Sequence, residues 1–164
     1  MREKTMGEQL HSLMMLAEEK ARVLDDHLKR EIFAAEVRQM DQHHAKLYGQ
    51  LEAWIKVKEE YLKDRPKIDC IADAKKQLAI GETFDKEKAA TTDATVFALE
   101  RQSTELMSKK YETKYSNFHL ENPEEVQSRV TKVNQAWLEL DKLREVQKGD
   151  LEKSLALEEE KERL

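Results

Sequence analysis

The sequence predicts an all-α fold: an elongated antiparallel three-helix bundle with a long N-terminal helix extension. Three observations predict it. Pro66 and Pro123 are the only prolines in 164 residues, and a proline inside a helix removes a hydrogen bond and clashes with the preceding turn. Only four glycines occur and 38% of residues are charged, the profile of long helices rather than of an α/β domain. Apolar residues recur at three- and four-residue steps between the prolines, the spacing of one helix face. That regularity disfavours disorder, the competing reading of high charge with low hydrophobicity.

The first helical segment runs from about residue 5 to Asp64. Its first half carries Leu10, Met14, Ala17, Ala21, Leu24, Leu28 and Ala35. Its second half carries Met40, Leu47, Trp54 and Tyr61, each seven apart, with Leu51, Ile55 and Leu62 beside them and Lys58 interrupting the seam. Unbroken, this helix is about 90 Å long. Such length indicates one helix passing between two packing environments.

The second segment is expected over about 68–117. Ile68, Ile71 and Leu78 open it. The stretch Ile80–Asp85, with Gly81, predicts a kink. The pattern resumes with Ala90, Ala94, Phe97, Leu99, Leu106, Met107, Tyr111 and Tyr115. The third segment, 123–164, has a clear start. Asn122 suits the N-cap, Pro123 the first helical position, and Glu125 the capping-box spacing. Val126, Val130, Val133, Trp137 and Leu140 follow at 4-3-4-3 spacing, and Leu143, Val146, Leu151, Leu155 and Leu157 drift off that seam.

Charge narrows the function classes. Lys and Arg against Asp and Glu number 12 to 13 in residues 1–66, 9 to 10 in 67–121 and 8 to 11 in 122–164. No segment offers the concentrated positive surface that nucleic acid requires, so no nucleic-acid partner is expected. A membrane-surface helix also wants a basic polar face, and no run approaches the ~20 apolar residues of a span; no membrane partner is expected. Cys70 is the only cysteine, which leaves no disulfide framework and permits a reducing compartment. A cytoplasmic location is the default expectation.

No residue pattern argues for catalysis, a metal or a cofactor. His43 and His44 are adjacent, so they point about 100° apart on a helix and do not converge as an i,i+4 pair would. Cys70 stands between Asp69 and Ile71 with Asp73 near, a setting that disfavours the thiolate a nucleophile needs. Carboxylates on a charged helix are usually solvated or paired with Lys at i,i+4.

LEAWIKVKEEYL around Trp54 and VTKVNQAWLELDKLREV around Trp137 resemble the first and third helices of a spectrin repeat, most closely those of an α-actinin rod. The resemblance covers residues 36–164. It implies a repeat core of Leu47, Leu51, Trp54, Tyr61, Leu78, Phe97, Leu106, Val130, Val133, Trp137 and Leu140, with helices at about 36–64, 68–117 and 123–164. Residues 1–35 would be a neck helix or the last helix of a preceding repeat. It further implies a non-enzymatic cytoskeletal spacer between actin-binding domains carried outside this chain. The stripe on residues 10–35 needs a partner in any case. Leu10, Met14, Leu24 and Leu28, with Leu151 and Leu155 at the other end, suit a side-by-side antiparallel homodimer. Two other readings stay open: a membrane-shaping, BAR-like helical dimer, and a monomeric adaptor that binds a partner helix.

Overall fold

The structure is a computed structural model that describes residues 2–163, with side chains from Thr5 to Arg163. It is dominated by helix. Helix α1 spans Arg2–Lys63, α2 Ile71–Thr91 and α3 Phe97–Ser108, with a π-helical turn at Thr92–Val96 between α2 and α3. A two-stranded hairpin follows, β1 at Lys110–Glu112 and β2 at Asn117–His119, before α4 at Pro123–Arg163. Cross-contacts give the direction of each element. Asp41 meets Arg129 and Arg65 meets Asp150, so α1 and α4 run parallel. Asp85 meets Arg144 and Lys88 meets Asp141, so α2–α3 runs antiparallel to α4.

The chain starts and stops its helices by local chemistry. Past Lys63, Pro66 prevents continuation. Before α2, Cys70 is extended at φ −152° and ψ 168°, and the Asp73 carboxylate accepts the Asp69 backbone N–H at 3.3 Å. Asp73 also lies in the first turn, where a negative charge complements the helix dipole. At α4 the Val126 N–H donates to the Asn122 carbonyl at 3.3 Å. Glu125 turns its carboxylate to Arg129, one helix turn on, at 3.3 Å.

Apolar side chains from all three helical stretches meet in successive layers. One end holds Ala34, Val37, Leu106, Phe118 and Val126; the middle Leu51, Val96, Leu99 and Val133; the other end Ile55, Leu62, Phe84 and Leu140. Leu47, Val130, Trp54, Tyr61 and Trp137 pack half-buried against these layers. The two tryptophan rings stack with centroids 5.2 Å apart.

Four expectations need correction. The second helix does not reach residue 117. It ends at Ser108, where Lys109 turns to ψ 118°, and the segment that follows pairs as strands, Tyr111 opposite Phe118. Tyr111 and Tyr115 are four apart, which mimics a helix stripe, but Thr113 caps a tight turn. Its N–H donates to the Ser116 carbonyl at 2.9 Å, and its Oγ1 accepts the Tyr115 and Ser116 N–H groups at 3.2 and 3.3 Å.

Phe97 is not in the core; it is 51% exposed. The π turn explains this. Ala74, Gly81 and Lys88 face inward at seven-residue steps, but the next inward residue is Val96, one residue late, followed by Ser103. A π turn inserts one residue and rotates all that follows by about 100°. Val96 and Leu99 therefore take the core, and Phe97 is carried outward. No break occurs at Gly81, since α2 runs through it. Finally, Leu151 is 3% exposed and Leu155 half-buried, so they do not overhang. From the Asp85–Arg144 contact, antiparallel stepping brings Leu151 level with Leu78, and the start of α2 covers this part of α4.

Candidate interaction surface

Helix α1 carries two different faces. Toward the bundle it presents Phe33, Val37, Met40, His44, Leu47, Leu51 and Trp54, buried or half-buried. The other face carries Leu10, Met14, Leu24 and Leu28, exposed at 57–68%. Leu24 and Leu28 stand two residues from Asp26 and Arg30, which touch the hairpin. Two residues are about 200° of helix rotation, so the outer stripe lies opposite the bundle. Nothing in the chain covers it. Met6, Leu13, Met15, Leu16 and Ile32 add to it, each more than half exposed. Between Leu10 and Leu16 the helix is apolar on nearly every side, whereas an ordinary surface helix is apolar on one stripe. The polar side chains nearby are engaged along the helix itself: Arg22 with Glu18 and Glu19 at 3.6 and 3.3 Å, and Lys29 with Asp25 at 3.0 Å.

The stripe is held in place by a docked hairpin. Asp26 is 7% exposed, and its carboxylate accepts hydroxyl hydrogens from Tyr111 at 2.6 Å, Thr113 at 2.7 Å and Ser116. The Ser116 bond first, then the Tyr111 bond, hold this carboxyl below its ordinary range. The same contact pushes the Tyr111 phenol up to about 12, with burial and the Asp26 charge adding to it. Arg30 Nε donates to the Asn117 carbonyl at 2.9 Å, and Phe33 packs on Tyr111 and Phe118 with centroids 5.7 and 6.1 Å apart. The bundle's grip on α1 thus begins near Asp26, inside the segment assigned to a separate neck of residues 1–35.

Two polar layers fix how the helices are aligned. His44 is fully buried. Its Nε2–H donates to the Leu99 carbonyl at 3.2 Å, and its Nδ1 accepts from Arg129 at 3.2 Å. Arg129 also reaches Asp41 at 2.8 Å. Burial first, and the Arg129 charge second, push the His44 imidazole below its ordinary value. Lower in the bundle, Arg144 forms a bidentate pair with Asp85 at 2.9 and 3.1 Å. Gly81 makes room for it: a Cβ there would lie 2.8 Å from Arg144 Nη2 and 2.9 Å from Cζ. Such layers constrain alignment because a shifted helix would leave a buried charge unpaired.

Sequence reasoning placed Leu10, Met14, Leu24 and Leu28 on one face, and the structure puts them together on the outer stripe. Leu151 and Leu155 belong to the bundle instead. Reasoning from apolar spacing missed Asp26, Arg129 and Arg144, because a polar residue carries no periodic signal. Gly81 within a helical run was the available hint for Arg144.

A groove of about 530 Å³ lies between α1 and α3, with Met40 and Leu106 among its apolar lining and Glu36 and Glu105 among its acidic residues. Among the described residues, no group of three or more His, Cys, Asp or Glu side chains could hold a metal ion, and no helix is long and apolar enough to cross a membrane. No protein-family model matches the chain, and no curated protein matches it.

Proposed function

We propose that this chain is a structural rod that pairs with a second copy and sets the distance between binding domains attached to it. The observation that carries this reading is the outer stripe of α1. Leu10, Met14, Leu24 and Leu28 lie on a regular helix, opposite a bundle already complete without them. Exposed contiguous apolar surface of this kind marks an interaction site. Matching helices pair readily through such seams.

The more specific assignment is a spectrin-type repeat over residues 36–164, used as a spacer in an actin cross-linking protein. Its support is the up-down-up course of the helical stretches, together with the stack of Trp54 on Trp137, the two tryptophans that carry the resemblance. The hairpin between α3 and α4 is a departure from a plain helical repeat. In this reading the rod is passive and two filament-binding heads per dimer give avidity.

The experiment fuses an actin-binding domain to one end of the chain and compares filament bundling with filament binding. The fusion should bundle filaments. A Met14→Glu, Leu24→Glu version should bind filaments without bundling them. Equal bundling by both versions would exclude the stripe as the pairing element, and no bundling by either would remove the spacer reading.

A further inference from the structure

We infer that two copies join only through the N-terminal halves of α1, antiparallel, with the bundles pointing away from each other rather than lying side by side. The inference rests on the homodimer reading above and specifies its geometry. The outer stripe consists of Leu10, Met14, Ala17, Ala21, Leu24 and Leu28. Its steps, 4-3-4-3-4, read the same in both directions. Its sizes do too: large, large, small, small, large, large. A twofold interface brings one surface patch against itself, and a stripe symmetric in both spacing and size meets that demand without a second kind of partner.

The symmetry fixes the alignment. Leu10 lies beside the partner copy's Leu28, Met14 beside its Leu24 and Ala17 beside its Ala21. Every layer is then apolar, and the small residues let the helices approach most closely at the twofold axis. The next layer outward sets Gly7 against Glu31, so the apolar seam ends there on both sides. The same alignment brings the N-terminal end of each α1 to the start of the other copy's bundle, with Met6 level with Ile32. That accounts for the many-sided apolar character of Leu10–Leu16, which a solvated helix end does not need. Leu151 and Leu155 lie within their own bundle and are absent from this interface.

The test uses a spin label at Gln42→Cys in a Cys70→Ser background, with pulsed dipolar spectroscopy and mass measured on the same sample. Gln42 is exposed and lies beyond the stripe, and Cys70 is the chain's only free thiol. The axis at residue 19 places the two labels 46 residues of helix apart, about 70 Å at 1.5 Å per residue. A doubled mass with a distance near 70 Å is the expected result. A doubled mass with about 30 Å would mean overlapping bundles about an axis near the middle of α1; it would overturn this geometry and leave the homodimer standing. A doubled mass with a distance below 20 Å would mean parallel pairing and would also overturn it. A single-chain mass at micromolar concentration would overturn both. The Leu24→Glu variant should lose the dipolar signal while keeping its helical circular dichroism.

Discussion

Replacing Trp137 by Ala probes the bundle where its layers meet. The indole stacks on Trp54 at 5.2 Å, lies 5.2 Å from Lys88 Nζ, and donates its Nε1–H to Thr92 Oγ1 at 2.9 Å. Removing a buried Trp costs about 3–5 kcal/mol through lost transfer energy and the cavity left behind. Trp137 is half-buried, which argues for the lower end. The lost ring stack adds about 0.5–1.5 kcal/mol. Losing the hydrogen bond adds little, because the Thr92 hydroxyl still donates to the Lys88 carbonyl at 2.8 Å. The expected loss is about 3–4 kcal/mol. With a urea slope near 2 kcal/mol per molar, the midpoint falls by about 1.5–2 M. The assay is urea unfolding followed by Trp54 fluorescence and circular dichroism, in a Leu24→Glu background so that association does not enter the stability. Trp137→Phe keeps an aromatic face and should lose only about 1 kcal/mol. A loss below 1 kcal/mol for the Ala variant would refute the packing described here.

Other outcomes follow from the polar layers. His44 binds its proton more weakly in the folded chain than its ordinary value of 6.5, so below that value the unfolded state takes up a proton that the folded state does not. Stability is then full above about pH 6.5 and falls as the pH drops toward the folded value; a His44→Gln variant should show a flatter pH profile of unfolding between pH 5 and 7. Asp26→Asn removes the charge that holds up the Tyr111 phenol, so its ultraviolet titration should move from about 12 toward the ordinary 10, with faster amide exchange in the hairpin. Tyr61 has a buried hydroxyl with no hydrogen-bond partner; Tyr61→Phe should be neutral or stabilising by up to about 1 kcal/mol, and a clear loss in thermal unfolding would show that the hydroxyl is engaged. Gly81→Ala should gain helix propensity yet displace the Arg144 guanidinium from Asp85, giving a net loss of roughly 1 kcal/mol in urea unfolding.

The parts of the fold that rest on apolar periodicity were legible in the sequence. Leu47, Leu51, Trp54 and Tyr61 line the inward side of α1, and Pro123 opens α4 as its flanking residues predict. The errors share a physical cause. A stripe read at helical spacing assumes an unbroken helix, and one extra residue at Thr92–Val96 moved Phe97 outward and Val96 inward. Strands of three residues are too short to show alternation, so β1 and β2 passed as helix. Gly81 looked like a break because its purpose is contact with Arg144, a residue 63 positions later in the chain. The outer stripe was legible because its six positions follow the helix repeat without interruption, whereas the carboxylate of Asp26 that anchors the hairpin carries no such pattern.

The central claim is that the outer face of α1 joins two copies of this chain. Sedimentation equilibrium on the intact chain at micromolar concentration tests it most directly. The account predicts twice the chain's 19.3 kDa, returning to the single-chain value on Leu24→Glu without loss of helix. A single-chain mass for the parent protein, or a doubled mass that Leu24→Glu and Met14→Glu leave unchanged, would contradict it.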